Sequence, residues 1–554
     1  MALTDLSPER WPFSTSTTIL IGLLTLYLVT QHLSTRKLNP REPAVIAPLI
    51  PVFGHLIGMA LYGGKYIKNL GIRHKEHGIF TLPVPGSRIY IVSDPSLAAA
   101  VQRASRILSF TPIIPEVTQR VLGLDAPTMD ITRKNLDPAP GEPRGFLADI
   151  QDMVYAWLGP GEYLSELSLA AAREMRDEIA AALPQTQGGG GGGGESAKVD
   201  LLSWVRHLVT VSTAKYLYGP QNPIAMDASL EAAFWDFDHG LGSLLMSVAP
   251  SVTARRAYQG RERLSAALLA YLENEHHRST GSKIVRRRVE IAREHGWALP
   301  AIAREELSFL FAGIVNATTS TFWILLHLYA DPALLATARQ EVEAVLVLVL
   351  ETSPDDAEKG GRQKHKLRIA DLRDTCPTLV AVYRECLRLG SDTYSTRLVK
   401  QDYMLADRYF LKKNAVVQIA GGVIHADARI WGDDVAEFNH RRFLDNDNNS
   451  NNNNKKSQAK NSNAYHPAAF RAFGGGKTLC PGRHFAMNEI LAFVALVVLQ
   501  FDMKPAQGET IEVPRKNDGV LPVHILEPVR PVEVRILRRE DGIAQGALDV
   551  DFVV

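Results

Sequence analysis

Cys480 has the most distinctive chemical surroundings in the chain. It follows three consecutive glycines, Gly474 to Gly476, and precedes Pro481-Gly482 and a helix-forming run from Arg483 to Val497. Glycines let a backbone lie close to a flat ligand and turn through positive φ. A cysteine just ahead of a helix N-terminus feels the positive end of the helix dipole, which favours the thiolate. The three cysteines, Cys376, Cys386 and Cys480, form no C-x-x-C pair, and a zinc site needs about four ligands. No nearby histidine is spaced to act as base to a cysteine nucleophile. A single axial thiolate on a haem iron needs only this one cysteine.

Phe473, Gly476, Cys480 and Gly482 fill F-x-x-G-x-x-x-C-x-G. That segment resembles the haem-loop signature of the cytochrome P450 family. Glu385 and Arg388 in YRECLR resemble the family's E-x-x-R, and i, i+3 spacing puts them on one helix face, able to pair. Phe438 to Phe443, FNHRRF, resembles F-x-P-x-R-F with His440 where proline is usual. The resemblance implies that Arg442 closes a buried Glu385–Arg388–Arg442 ion network. It also implies that Arg397, ahead of an apparent strand, grips a haem propionate. The family often places a second basic residue two before the cysteine. Thr478 stands there instead, and the neighbouring Lys477 is the expected substitute.

The run Glu305 to Ala330 reads as a long apolar helix closed by Asp331-Pro332. Ala312-Gly313 match the small pair that makes room for haem and oxygen in the family, whose helix continues A-G-x-[D/E]-T. Here Val315 replaces the acid and Asn316 the alcohol. Asparagine donates and accepts hydrogen bonds, but relays a proton less readily than a hydroxyl. Thr318 and Thr319 follow at roughly 200° and 300° around the helix. With FGGGKTLCPGR, the pattern A-x-x-x-N…T-F-W resembles the branch that holds the sterol 7α-hydroxylases and prostacyclin synthase. That branch mixes oxygen-inserting enzymes with peroxide isomerases, which need no proton relay.

These residues must be positioned by a large domain. The chain has 554 residues, with 61 basic and 60 acidic side chains for a formal charge of +1. That balance excludes a disordered acidic chain or a generally basic nucleic-acid coat, and few cysteines fit a reducing compartment. Ile19 to Val29 is apolar, and with its flanks the uncharged stretch reaches about 17–20 residues, the length of a membrane span. Arg36, Lys37 and Arg41 follow it, so the positive-inside rule puts everything after it in the cytosol. Pro40, Pro43, Pro48 and Pro51 stiffen the next stretch. Residues 78–95 alternate between glycine and proline punctuation and predict a β-hairpin. From about residue 96 to 345 the periodicity is helical. Inserts near 185–197 and 446–463, rich in glycine and asparagine, are expected to be disordered surface loops, and Glu351 to Lys366 a further polar loop.

The resemblance implies a mainly α fold with a small β portion, the cytochrome P450 fold, and one N-terminal transmembrane helix. Residues 1–35 are the expected anchor and 36–554 a single catalytic domain in the endoplasmic reticulum membrane. Cys480, Ala312, Gly313 and Asn316 are the expected catalytic residues. Phe473, Gly476, Cys480, Gly482 and Arg397 are expected to bind haem b, with Cys480 on its iron. The implied activity is oxidation of a lipophilic small molecule such as a terpenoid, sterol or related secondary metabolite. Electrons would come from NADPH through NADPH-cytochrome P450 reductase, docking near Lys477, Arg483 and His484. Residues 110–129, 233–250 and 518–528 correspond to pocket-lining regions, with Phe234, Trp235, Phe237, Leu244 and Leu245 suggesting an apolar pocket. The competing expectation is a haem-thiolate isomerase or dehydratase acting on a lipid peroxide without NADPH. No nucleic-acid partner is expected.

Overall fold

Helices dominate the chain, with four smaller sheets among the described residues. The structure is a computed structural model describing residues 15–182, 198–351, 362–444, 465–539 and 550–553. The inserts expected near 185–197 and 446–463 lie outside these residues.

The helices that matter here are α1 (Thr15–Thr35), α2 (Gly54–Arg73), α3 (Pro95–Arg103), α4 (Phe146–Trp157), α5 (Glu162–Ala181), α6 (Leu201–Tyr218), α7 (Ser229–His239), α8 (Arg255–Glu273), α9 (Leu299–Ala330), α10 (Pro377–Gly390) and α11 (Arg483–Gln500). Helix α9 runs 32 residues, starting with Pro300 in its first turn, and Asp331 stops it while capping the next helix through Ala333 N and Leu334 N. At 1.5 Å per residue the length of α9 is about 48 Å. Both α9 and α11 are apolar on nearly all sides and mostly buried, as a central helix must be. One core cluster joins α9, α10 and α11, including Phe322, Leu325, Leu379, Phe493 and Leu496. A second packs α6, α7 and α8 against the first half of α9, including Phe234, Phe237, Leu264, Leu268 and Leu310.

Glycine sets one of these approaches. A Cβ on Gly260 of α8 would lie 2.4 Å from the Ala233 carbonyl oxygen of α7. Backbone cannot yield there, so only glycine lets α7 and α8 close.

The largest sheet holds β1 (Ala44–Val45), β2 (Ile79–Val84), β3 (Ser87–Val92), β4 (Leu108–Ser109), β5 (Tyr394–Val399) and β6 (Val416–Ala420), in the order β1-β2-β3-β6-β5-β4. The hairpin read at 78–95 is β2–β3, antiparallel, with Phe80 opposite Ile91. Gly86 takes φ +69° in its turn. The expected polar loop from Glu351 to Lys366 is corrected at its two ends, and residues 352–361 lie outside the described residues. Leu346–Glu351 and Arg362–Arg368 are antiparallel strands, and Val550–Val553 joins them in parallel, with Phe552 buried. The second strand, RQKHKLR, is polar at every position but Leu367, and one of its partners comes from the distant C-terminus, so local pattern does not reveal it.

Helix α1 keeps its apolar side chains outside the domain: Leu20, Leu23, Leu24, Leu26 and Leu28 are all exposed. Its apolar stretch, Leu20–His32, is shorter than a full span among the described residues.

Candidate active site

The Cys480 loop is built by short-range hydrogen bonds. Cys480 N donates to the Phe473 carbonyl at 2.9 Å, and Leu479 N to that of Gly476 at 3.1 Å. Gly474 and Gly476 take φ +73° and +63°, a region that favours glycine. Cβ atoms on Gly475 and Gly476 would fall 2.1 Å and 2.9 Å from the Gln102 side chain on α3. The glycine run therefore admits a protein neighbour, a role the sequence reading gave to a flat ligand alone. Helix α4 braces the loop: Gln151 and Tyr155 donate to the Lys477 carbonyl at 3.3 and 3.1 Å, and Tyr155 also to that of Leu479.

Cys480 itself is half-buried just ahead of α11. Burial pushes its thiol up, while the Gly482 and Arg483 amides and the Arg483 guanidinium pull it down. The amides at the helix start thus act in the expected direction, toward thiolate, and desolvation is the larger, opposing influence. A bound metal cation reverses this balance, since a coordinating thiol is deprotonated outright.

Beside the loop lies a group of donors without acids. Arg397 on β5 is buried; it donates to the Thr396 carbonyl at 2.7 Å, to the Gly475 carbonyl at 3.5 Å, and to Thr478 Oγ1. Arg471 is also buried and donates to Ser395 Oγ at 2.9 Å, while its Nε has no partner. The amide nitrogen of Gln102 has none either. No carboxylate pairs with either arginine among the described residues. Burial pushes Arg397 down to about 10, and burial plus the Arg397 charge pushes Arg471 to about 10. Buried cations without a counter-charge are costly, so this cradle fits an anionic ligand such as the two carboxylates of a haem. Lys477, expected to replace the missing base at Thr478, is exposed instead. Arg471 occupies the inward position, and Thr478 holds Arg397.

A buried ion network supports the cradle from behind. Arg388 pairs with both oxygens of Glu385, at 2.7 and 2.8 Å, and Arg442 Nε reaches Glu385 Oε1 at 3.2 Å. Asn439 N donates to the same oxygen at 3.0 Å. Arg388 also donates to the His425 carbonyl at 2.8 Å. His425 Nδ1 lies 2.9 Å from the Ser391 carbonyl, and its Nε2 accepts from Arg471 N at 2.8 Å. That pattern fixes the neutral tautomer, and burial pushes the imidazole down to about 3. His425 therefore links the Glu385 network to Arg471.

On α9, Ala312 and Asn316 are exposed, one turn apart, on a helix whose next residues are buried. They share an open face. Gly313 points elsewhere: a Cβ there would meet Thr213 Cγ2 of α6 at 3.1 Å, so its smallness also seats α6 against α9. Val315 is buried. Thr319 Oγ1 returns to the Val315 carbonyl at 3.3 Å, and Thr318 is buried with its hydroxyl unpartnered. Neither hydroxyl reaches the open face. Asn316 Oδ1 accepts from Ile525 N at 3.0 Å.

The Cytochrome P450 family model matches residues 259–527, which include α9, the Glu385 network and the cysteine loop. Cytochrome P450 monooxygenase nodJ of Hypoxylon pulicicidum is 29% identical over 94% of this chain and 95% of that protein. A cytochrome P450 monooxygenase of Gibberella zeae is 29% identical over 84% of this chain and 82% of its own. The chain belongs to the cytochrome P450 family. Cholesterol 7-alpha-monooxygenase of Cricetulus griseus is also similar, 25% identical over 42% of this chain and 44% of that protein, in line with the sterol 7α-hydroxylase resemblance.

Within this P450, most of the expected pocket aromatics serve the core. Phe234, Trp235, Phe237 and Leu244 are buried, and Phe237 meets Phe311 of α9 edge-on, with ring centroids 6.2 Å apart. Sequence reading missed Arg471, Gln102 and His425 as parts of one cradle. The signal for Arg471 was present: a base absent two before the cysteine reappears nine before it, inside the same motif. Gln102 carried no signal, because α3 lies far from the loop in sequence.

Proposed function

We propose that this P450 inserts one atom of dioxygen into a lipophilic small molecule, such as a terpenoid, sterol or related secondary metabolite. NADPH supplies the electrons through NADPH-cytochrome P450 reductase. The balance is RH + O2 + NADPH + H+ giving ROH + H2O + NADP+. The observation that carries this reading is the cysteine loop set beside two buried arginines that have no acid partner among the described residues. When bound, haem supplies the activation of dioxygen, and its thiolate ligand pushes electron density that favours O–O cleavage. In this reading Cys480 ligates the iron, Phe473, Gly476 and Gly482 shape the loop, and Arg397, Arg471 and Gln102 hold the carboxylates. Ala312 and Gly313 keep the distal side open, and Asn316 presents an amide there.

Helix α1 is the proposed anchor in the endoplasmic reticulum membrane, with residues 36–554 forming one cytosolic catalytic domain. Arg36, Lys37 and Arg41 beyond it support that orientation. The buried Val315 and the inward-turned Thr318 and Thr319 favour a second reading, a peroxide isomerase that needs no proton relay. Relatives named as monooxygenases over most of the chain weigh against it.

The test supplies purified protein with reductase, NADPH, isotopically labelled dioxygen and a panel of terpenoids and sterols. A product carrying one labelled oxygen supports the proposal. Turnover of lipid hydroperoxides without NADPH, and none of the panel with it, would establish the second reading instead.

A further inference from the structure

The segment from His524 to Glu527 is tied to four helices at once. Ile525 N donates to Asn316 Oδ1 on α9 at 3.0 Å, and Trp323 Nε1, also on α9, donates to the Leu526 carbonyl at 2.9 Å. Leu526 N donates to the Gly390 carbonyl at the end of α10 at 3.1 Å. Arg206 on α6 donates to Glu527 Oε1. The fourth tie is to α7, where His524 Nε2 lies 3.4 Å from Asp238 Oδ1.

Asp238 is unusual in its surroundings. It is 2% exposed, and neither carboxylate oxygen accepts a hydrogen bond from the described residues. Its charged neighbours are His524, His239 at 4.0 Å, and beyond them Glu527 and Arg206. His239 Nε2 also lies 3.5 Å from Glu527 Oε2 and accepts from Arg206 at 3.1 Å. With Arg206 already engaged by Glu527 and His239, the nearest basic side chain to Asp238 is His524, 3.4 Å away. Burial is the largest influence on the Asp238 carboxyl and pushes it up, and His524 is the neighbour that most opposes this. His524 Nδ1, 2.8 Å from the Ile525 carbonyl, anchors the other side of the ring.

The consequence falls on Asn316. A backbone N–H only donates, so Ile525 must receive the carbonyl end of the Asn316 amide. The Nδ2 end then turns away from Ile525; it has no partner among the described residues, and Asn316 is exposed on the open face of α9. Should the Ile525 amide move, the carboxamide is free to flip and present its oxygen instead, because the two ends have nearly the same shape.

We infer that Asp238 and His524 are positioning residues for Asn316: together they hold the 524–527 segment so that Asn316 turns a hydrogen-bond donor, not an acceptor, toward the open cavity. The inference rests on the haem-thiolate reading of that cavity. It also ties the Asn316 donor to α7, a helix in one of the regions expected to line the substrate pocket, so displacement of α7 disturbs the donor.

The test uses the full-length holoenzyme, reduced and bound to carbon monoxide, with the C–O stretch recorded in the infrared. That frequency senses a donor beside the ligand. The variants are Asn316→Leu, Asp238→Asn and His524→Gln, with Ile525→Pro, which removes the N–H outright, as a second route to the same loss. The expected result is one narrow band in the unaltered protein and a shifted band in Asn316→Leu. In Asp238→Asn, His524→Gln and Ile525→Pro the band should split between those two positions, with the Soret band of the adduct unchanged. NADPH consumption without substrate should release several-fold more hydrogen peroxide in the same three variants. An Asp238→Asn or His524→Gln band at the original position and width, with Asn316→Leu shifted, overturns the inference. So does an Asn316→Leu band that does not move. Absence of the thiolate-type Soret band in the unaltered protein would instead defeat the haem-thiolate reading, and this inference with it.

Discussion

Cys480 meets two opposed influences, burial that favours the thiol and the Gly482, Arg483 and helix-terminal groups that favour the thiolate. In the proposed reading a bound iron would decide between them, since a coordinating thiol is deprotonated. Cys480→Ala should abolish turnover and remove the thiolate signature from the reduced carbon monoxide spectrum. Arg471 is the less obvious residue, because it shares the buried cradle with Arg397 and Gln102. Arg471→Leu should lower the haem content of purified protein and speed haem loss, while Lys477→Ala, on an exposed side chain, leaves both unchanged. Haem titration and absorbance stability check this, and equal haem retention in both variants would refute the cradle. Glu489 offers a test by pH. It is buried on α11, accepts from Tyr216 at 2.9 Å, and burial pushes it up to about 8 from an ordinary 4.5. The folded chain keeps the proton that the unfolded chain loses above 4.5, so the stabilising contribution is full below that point. It falls by about 1.4 kcal/mol per pH unit as pH rises toward the folded value. Glu489→Gln should therefore melt close to the unaltered protein near about pH 5 and above it near about pH 8. A difference independent of pH would contradict the assignment. At this scale the sequence was legible wherever a motif is local: Cys480, Glu385 and Arg388 stand in short, readable patterns. Gln102 and the pairings of His425 with Arg471 and of Ile525 with Asn316 escaped because the partners come from distant parts of the chain, and single-sequence spacing carries no such pairing.

Elements were legible by period. The Asp331-Pro332 stop of α9 and the alternation of β2–β3 appear where pattern places them, while α9 begins earlier than the expected Glu305, at Leu299. The strand Arg362–Arg368 was hidden because its cover, Phe552 and its neighbours, lies near the C-terminus. Side-chain direction within α9 was also beyond reach. Only the packed helix shows Ala312 and Asn316 open while Gly313 faces α6 and both threonines turn inward. The α7–α8 contact rests on Gly260, where any side chain meets the Ala233 carbonyl. Gly260→Val should destabilise the domain by about 1–3 kcal/mol, as overpacking does. Chemical denaturation measures this, and an unchanged midpoint would show that α7 can retreat freely. Removing a member of the Glu385 network is a harsher change. Glu385→Leu strands Arg388 in the interior, at about 3–5 kcal/mol, and should yield aggregated or haem-free protein rather than a slow enzyme.

The whole molecule combines a helical domain that buries its chemistry with an N-terminal helix that does not bury its own apolar side chains. Leu20 is 69% and Leu23 62% exposed, which a lipid environment would relieve. Removing residues 1–35 should shift the protein from the membrane to the soluble fraction while leaving its carbon monoxide spectrum intact. If the shortened chain still sediments with membranes, the exposed Phe53, Leu56, Leu61 and Tyr62 on and beside α2 are the attachment, and α1 is not the sole anchor. The near-neutral charge fits such a protein and gives no general attraction to nucleic acid. The most direct test of the account mixes the purified protein with P450 reductase, NADPH and carbon monoxide and records the Soret band. A dithionite-reduced sample and Cys480→Ala run alongside. The account predicts the red-shifted thiolate–carbon monoxide band with NADPH alone and its loss in Cys480→Ala. The same band in Cys480→Ala, or no such band even with dithionite, would contradict the assignment of Cys480 as the haem ligand.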